Sequence, residues 1–111
     1  MRTLTVSNRT LELDNDGYLK RLDDWDREVA KELALLDDIA LTPAHWEIID
    51  LVRAFYRTFT LAPSQRPLVK FVRERLGEEK GRSVYLMRLF PGTPAIRVAK
   101  IAGLPRPTNC F

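Results

Sequence analysis

Two short runs near the start of the chain alternate strictly between polar and apolar residues. Thr3-Leu4-Thr5-Val6 is the first and Thr10-Leu11-Glu12-Leu13 the second, with Ser7-Asn8-Arg9 between them. A period of two puts every second side chain on one face of a strand, so the pair predicts a β-hairpin. Asp14-Asn15-Asp16-Gly17 is a dense turn signal that ends it. Two strands alone are marginal in water, so this hairpin must lean on helices. From there the period changes. Asp23 or Asp24 is placed to cap a helix reaching about Asp37, with Trp25, Val29, Leu33 and Leu36 at helical spacing. Thr42-Pro43 sets a cap before proline at a first helical position. The helix it opens carries Trp46, Ile49, Val52, Phe55, Tyr56 and Phe59, the strongest apolar stripe in the chain. That stripe predicts the central helix and its aromatics as core. Ala62-Pro63-Ser64 breaks it, and a third helix runs through Leu68, Val69, Phe71, Val72 and Leu76 to Gly77, with Pro67 in its first turn. Ser83 is placed to cap a short fourth helix through Tyr85, Leu86, Leu89 and Phe90, stopped by Pro91-Gly92. Pro94 opens a fifth, with Ile96, Val98 and Ile101 apolar and Gly103 at its end. Beyond it, Pro105 and Pro107 exclude a helix and favour an extended, polyproline-like arm.

The expected class is therefore α+β, mainly α. An N-terminal β-hairpin packs on a small helical bundle with a helix-turn-helix-like pair over 43–59 and 65–76. Residues 1–103 are expected to form a single globular domain of hairpin and about five helices, and 104–111 an extended C-terminal arm.

Composition agrees with one folded domain. The chain has 111 residues, 45% hydrophobic and 30% charged, which suits one modest core. No apolar run approaches the ~18 residues of a membrane span. No charged leader with an apolar stretch opens the chain, so the expectation is a cytoplasmic protein with no membrane association. Charge adds an asymmetry. Residues 1–50 carry 6 basic and 12 acidic side chains, net −6, whereas residues 51–111 carry 12 basic and 3 acidic, net +9. A basic second half suits an anionic partner, or is balanced internally by the acidic half.

The chemistry-bearing residues are few. Cys110, the penultimate residue, is the sole cysteine, and His45 the sole histidine. These counts exclude an internal disulfide, a CxxC redox pair, a cysteine-rich zinc site and a multi-histidine metal centre, and no cofactor-binding motif is present. A thiolate is a strong nucleophile and can hold a second sulfur as a persulfide. Arg106, Lys100 and Arg97 are candidates for positive potential near Cys110, opposed by the terminal carboxylate of Phe111. Without a neighbouring histidine or second cysteine, the thiol has no local base or resolving partner. That pattern fits a carrier whose partners supply the activation; an incidental terminal cysteine is the alternative.

The last twelve residues, Lys100-Ile101-Ala102-Gly103-Leu104-Pro105-Arg106-Pro107-Thr108-Asn109-Cys110-Phe111, closely resemble the C-terminal signature of the DsrC/TusE family. The resemblance extends through Gly17-Tyr18-Leu19, Asp24-Trp25, Leu41-Thr42, His45-Trp46-Glu47, Ala62-Pro63, Arg66 with Leu68, Lys80-Gly81, Tyr85-Leu86 and Leu89-Phe90-Pro91-Gly92, in the family's order. It implies a hairpin-and-helix fold whose arm carries the functional cysteine. Members of the DsrC branch have a second cysteine eleven positions earlier and serve dissimilatory sulfur metabolism; that position is Ala99 here. The TusE branch has the penultimate cysteine alone. It implies a sulfurtransferase that takes persulfide sulfur from a TusBCD-like donor complex and relays it to an MnmA-like tRNA thiolase for 2-thiouridine. The chain departs from the family's usual Pro-Gly-Gly-Pro and Lys-Gln pair, with Pro91-Gly92-Thr93-Pro94 and Ala95-Ile96-Arg97. The alternatives are a DsrC-like partner of a sulfite reductase, or a non-catalytic regulatory or DNA-binding protein.

Arg66 matches a family arginine and is a candidate to support the arm or draw the thiolate to the body, or is simply a surface arginine at a helix start. His45-Trp46-Glu47 has active-site residue types, but lies in the first turn behind Thr42 and reads as capping and core packing. Arg66, Lys70, Arg73 and Arg75 give the helix pair a basic face of the kind a DNA-reading helix presents, with no other DNA-binding feature.

Overall fold

The computed structural model describes residues 2–107. Two strands pair antiparallel, β1 (Arg2–Val6) with β2 (Arg9–Leu13). Val6 faces Arg9, so the link is the two residues Ser7 and Asn8, both at positive φ. That is the mirror-image turn whose twist matches paired strands. Leu4, Val6, Leu11 and Leu13 all point inward and meet Leu19, Val29 and Leu33 in a small core of their own. The helix supplying Val29 and Leu33 is what the hairpin leans on.

Five α-helices follow: α1 (Arg27–Leu36), α2 (Pro43–Phe59), α3 (Gln65–Leu76), α4 (Ser83–Leu89) and α5 (Pro94–Ile101). The first departs from expectation at its start. Asp23 and Asp24 sit in a separate 3₁₀ turn over Leu22–Asp24, and Trp25 is extended. Asp26 is the cap, its carboxylate accepting the Val29 N–H at 2.9 Å and the Arg9 guanidinium at 2.7 Å. Trp25 therefore precedes the helical stripe on which the spacing placed it. The short helix α4 also begins differently: Arg82 holds the cap position and Ser83 is the first helical residue.

The central helix starts as expected. The Thr42 N–H donates to His45 Nδ1 at 3.1 Å, and the Thr42 hydroxyl lies 2.7 Å from the same nitrogen. A backbone N–H can only donate, so Nδ1 accepts and Nε2 carries the hydrogen that reaches the Leu89 carbonyl at 2.8 Å. His45 thus ties the start of α2 to the end of α4, with its ring edge-on to Phe90. This bears out capping and packing. The aromatic stripe is core in part only. Phe55 is buried, Trp46 and Tyr56 are partly buried, and Phe59 is 53% exposed at the last residue of the helix. A period of 3.6 continues to the helix end, but the bundle beneath it does not.

The helix α5 is the hub. It touches α1, α2, α3 and α4, and Val98, Ala99 and Ile101 are buried among them. Trp25 packs against both the hairpin core and the helical core.

Replacing Asp26 with alanine removes an N-cap and the Arg9 pair together. Loss of such a cap costs about 1 kcal/mol, which lowers the melting temperature by roughly 4–8 °C in a domain of this size. A thermal melt followed by circular dichroism checks it, with Asp23→Ala as a near-neutral control.

Candidate functional site

The arm begins where α5 ends, and that end is completely closed. A helix leaves its last four carbonyls without partners, and burial makes that costly. Gly103 turns left-handed at φ +70°. Its N–H then donates to the Lys100 carbonyl at 3.1 Å, and the Leu104 N–H to the Ala99 carbonyl at 2.9 Å. This is the Schellman arrangement, with Leu104 dropping into the core beside Ala99. The remaining two carbonyls take side chains. The Trp25 indole N–H donates to Ile101 at 2.8 Å, and Arg53 donates to Ala102 at 2.6 Å. The Arg53 guanidinium also stacks 3.8 Å over the Trp25 ring, and burial lowers its pKa. A Cβ on Gly103 would run into the Trp25 ring, so glycine is required for space as well as for φ. Family-signature residues in Ile101-Ala102-Gly103-Leu104 are thus the geometry of a clamped helix terminus.

The next residues are held from the other side. Arg106 donates to Asp16 at 2.5 Å, lies 3.7 Å from Asp14, and sits 5.0 Å from the Tyr18 ring centroid. Lys100 lies 5.4 Å from the same ring centroid. The turn after the hairpin is therefore a receptor for the arm's arginine. Asp14 organises that turn by accepting the N–H groups of Asp16 and Tyr18. Burial pushes the Asp14 carboxyl up, but those N–H groups and the Arg106 guanidinium outweigh it and hold the carboxyl below its ordinary value. The Asp16 hydrogen bond in turn raises Arg106. Pro107 is buried, between a groove of about 340 Å³ against Tyr18, Lys100 and Arg106 and one of about 290 Å³ against Ser64, Gln65 and Thr93.

The structure places the candidate residues as follows. Cys110 lies outside the described residues. Leu104–Pro107 continue without helix or strand. Arg106 is engaged by two carboxylates, and Arg97 by Asp37 at 2.9 Å and the Pro91 carbonyl at 3.0 Å. Lys100 is beside the arm. Arg66 is exposed on α3, in a groove it shares with Lys70 and Arg73. Ala99 lies inside α5 and is 1% exposed. Sequence reasoning missed Trp25, Arg53, Asp14 and Asp16. The Asp24-Trp25 match and the dense turn were visible signals, yet nothing local says that Trp25 meets Ile101. Among the described residues no group of histidines, cysteines and carboxylates is placed to hold a metal ion, and no helix is long and apolar enough to cross a membrane.

A hairpin on a helical bundle with a clamped helix terminus is the framework of this chain, and its sequence carries one thiol, at the penultimate position. The family model described as "DsrC like protein" matches residues 5–111. The sulfurtransferase TusE of Photorhabdus laumondii is 46% identical over the whole of both chains. The solution structure of DsrC from Allochromatium vinosum superposes with a TM-score of 0.89 at 43% identity, covering 98% of this chain and 97% of that one. The oxidized γ-subunit of the dissimilatory sulfite reductase (DsrC) from Archaeoglobus fulgidus gives 0.84 at 37% identity, covering 99% and 100%. The chain belongs to the DsrC-like family and is a sulfurtransferase of the carrier kind.

Two tests follow from the clamp. Replacing Trp25 with phenylalanine keeps most of the packing but strips the Ile101 carbonyl of its donor; leaving a partly buried carbonyl unpaired costs about 1–3 kcal/mol, read as a lower urea midpoint. For pH, the Asp14 carboxyl is depressed in the fold, so its contribution is fully present above the ordinary aspartate value of 3.8 and is lost as pH falls through the lower folded value. The amide signals of Tyr18 and Arg106 should hold steady from neutral pH to the ordinary value and move together below it.

Proposed function

We propose that Cys110 accepts a sulfane sulfur as a persulfide and relays it to an enzyme that makes 2-thiouridine in tRNA. The observation that carries this reading is a lone penultimate thiol, with alanine at position 99, within a full-length match to sulfurtransferases named TusE. The exchange balances without an outside oxidant. The Cys110 thiolate attacks the outer sulfur of a donor persulfide; a new sulfur–sulfur bond forms, the old one breaks, and the donor leaves as a thiolate. The second exchange repeats this with Cys110 as the leaving thiolate. The partners are a TusBCD-like donor complex and an MnmA-like tRNA thiolase, with tRNA reached through the enzyme. The expected compartment is the cytoplasm.

The residues beside the arm support it by position. Its root is held by Trp25, Arg53 and Gly103, and Arg106 pairs with Asp14 and Asp16 at its exit. Lys100 is the cation at the exit that pairs with no carboxylate among the described residues. With alanine at position 99, an arm disulfide of the two-cysteine kind has no second partner, which speaks for relay over a sulfite-reductase role.

Intact-mass measurement after incubation with a sulfur donor should show one added sulfur on the wild type and none on Cys110→Ala. Cells carrying only Cys110→Ala should lose most of their 2-thiouridine. Full thiolation by that variant overturns the reading.

A further inference from the structure

Resting on the relay reading, we propose that the cationic groove between α3 and α4 is the docking face for an acidic protein surface on the sulfur donor. Covalent geometry decides where a donor must sit. Cys110 is three residues beyond Pro107, and an extended chain spans at most ~3.3–3.6 Å per residue, so the cysteine backbone can lie no more than roughly 11 Å from Pro107. A protein exchanging sulfur with it must therefore approach within a few side-chain lengths of the surface around Pro107.

That surface has a definite character. The groove against Pro107 includes Ser64 and Gln65, where the Gln65 side chain accepts the Ala95 N–H at 3.2 Å. Through Gln65 it adjoins a second groove of about 250 Å³ that holds Arg66, Lys70 and Arg73. These three cations are spaced four and three residues apart, on one face of α3. Arg73 spends hydrogen bonds on the Gly81 carbonyl at 3.2 and 3.3 Å. Arg66 and Lys70 make no ion pair with any described residue. Among the described residues no carboxylate lines the groove. From α4 the groove takes only Ser83, and Val69 supplies an aliphatic side chain to its floor.

Cations with no carboxylate partner among the described residues, grouped around Val69, fit a protein edge that carries carboxylates. They suit RNA less well, because single-stranded RNA is held by exposed aromatic side chains as well as cations, and this groove has none. Complementary charge of this kind speeds encounter and sets orientation, so its removal lowers affinity chiefly through the association rate.

The experiment uses the full chain and a purified TusBCD-like donor complex, which contains no RNA. Binding is measured by titration at low and physiological salt for the wild type, Arg66→Glu/Lys70→Glu and Arg66→Gln/Lys70→Gln. Thermal melts verify that each variant is folded. We expect the double reversal to weaken binding by roughly tenfold or more, the neutral pair to weaken it less, and the salt dependence to shrink in both. Loading of Cys110 by inorganic polysulfide, which needs no docking, stays unchanged. Donor affinity within twofold of wild type in the reversal variant overturns the proposal. So does a result in which purified tRNA, and not the donor, shifts the amide signals of Arg66, Lys70 and Arg73. Failure of the wild type to bind or take sulfur from the donor at all would strike the relay reading beneath it.

Discussion

Trp25 is the joint on which this molecule depends. Its ring packs against both the hairpin core and the helical core, and its N–H closes the Ile101 carbonyl. The demand behind it is general: a buried helix end must satisfy its carbonyls. Here Gly103 and Leu104 satisfy two by turning back, and Trp25 and Arg53 satisfy two from other elements. Because α5 touches the other four helices, closing its end also settles where the chain leaves the body. A carrier needs that. A thiol on a short tether is useful only if the tether starts from a known place.

The second constraint is charge placement. The acidic first half and basic second half neutralise each other in part, as Arg106 with Asp16 and Arg97 with Asp37 show. The pairing is uneven. It draws the arm's arginine down onto the hairpin turn while leaving Arg66 and Lys70 without carboxylate partners among the described residues. Surface ion pairs of this kind contribute little to stability. Their consequence lies in geometry: they hold Arg106 on the hairpin turn and, among the described residues, leave a cationic groove on α3.

Much of the fold was legible because its signals are local. Alternation marked the hairpin, Thr42-Pro43 and Gly77 marked helix ends, and Pro105 and Pro107 ruled out a longer α5. The misplacements have local causes too. Asp23, Asp24 and Asp26 all qualify as caps, and only the turn taken by Leu22–Asp24 decides for Asp26. Phe59 continues a helical period past the place where neighbours cover it. The candidate site was legible as a thiol, two prolines and a nearby arginine. Its supports were not, since Trp25 and Ile101 are 76 residues apart and no periodicity links them.

By itself the amino-acid sequence determined the inventory: one thiol, no second cysteine at position 99, an arm that proline keeps out of α5, and a charge split between halves. These depend on residue identity and on backbone rules that act over a few positions. Tertiary structure alone decided which group closes each carbonyl of α5, which carboxylates receive Arg106, and which cations are left over. Those outcomes depend on distances between elements remote in the chain, and hydrogen bonds and ion pairs form or fail over an ångström or two.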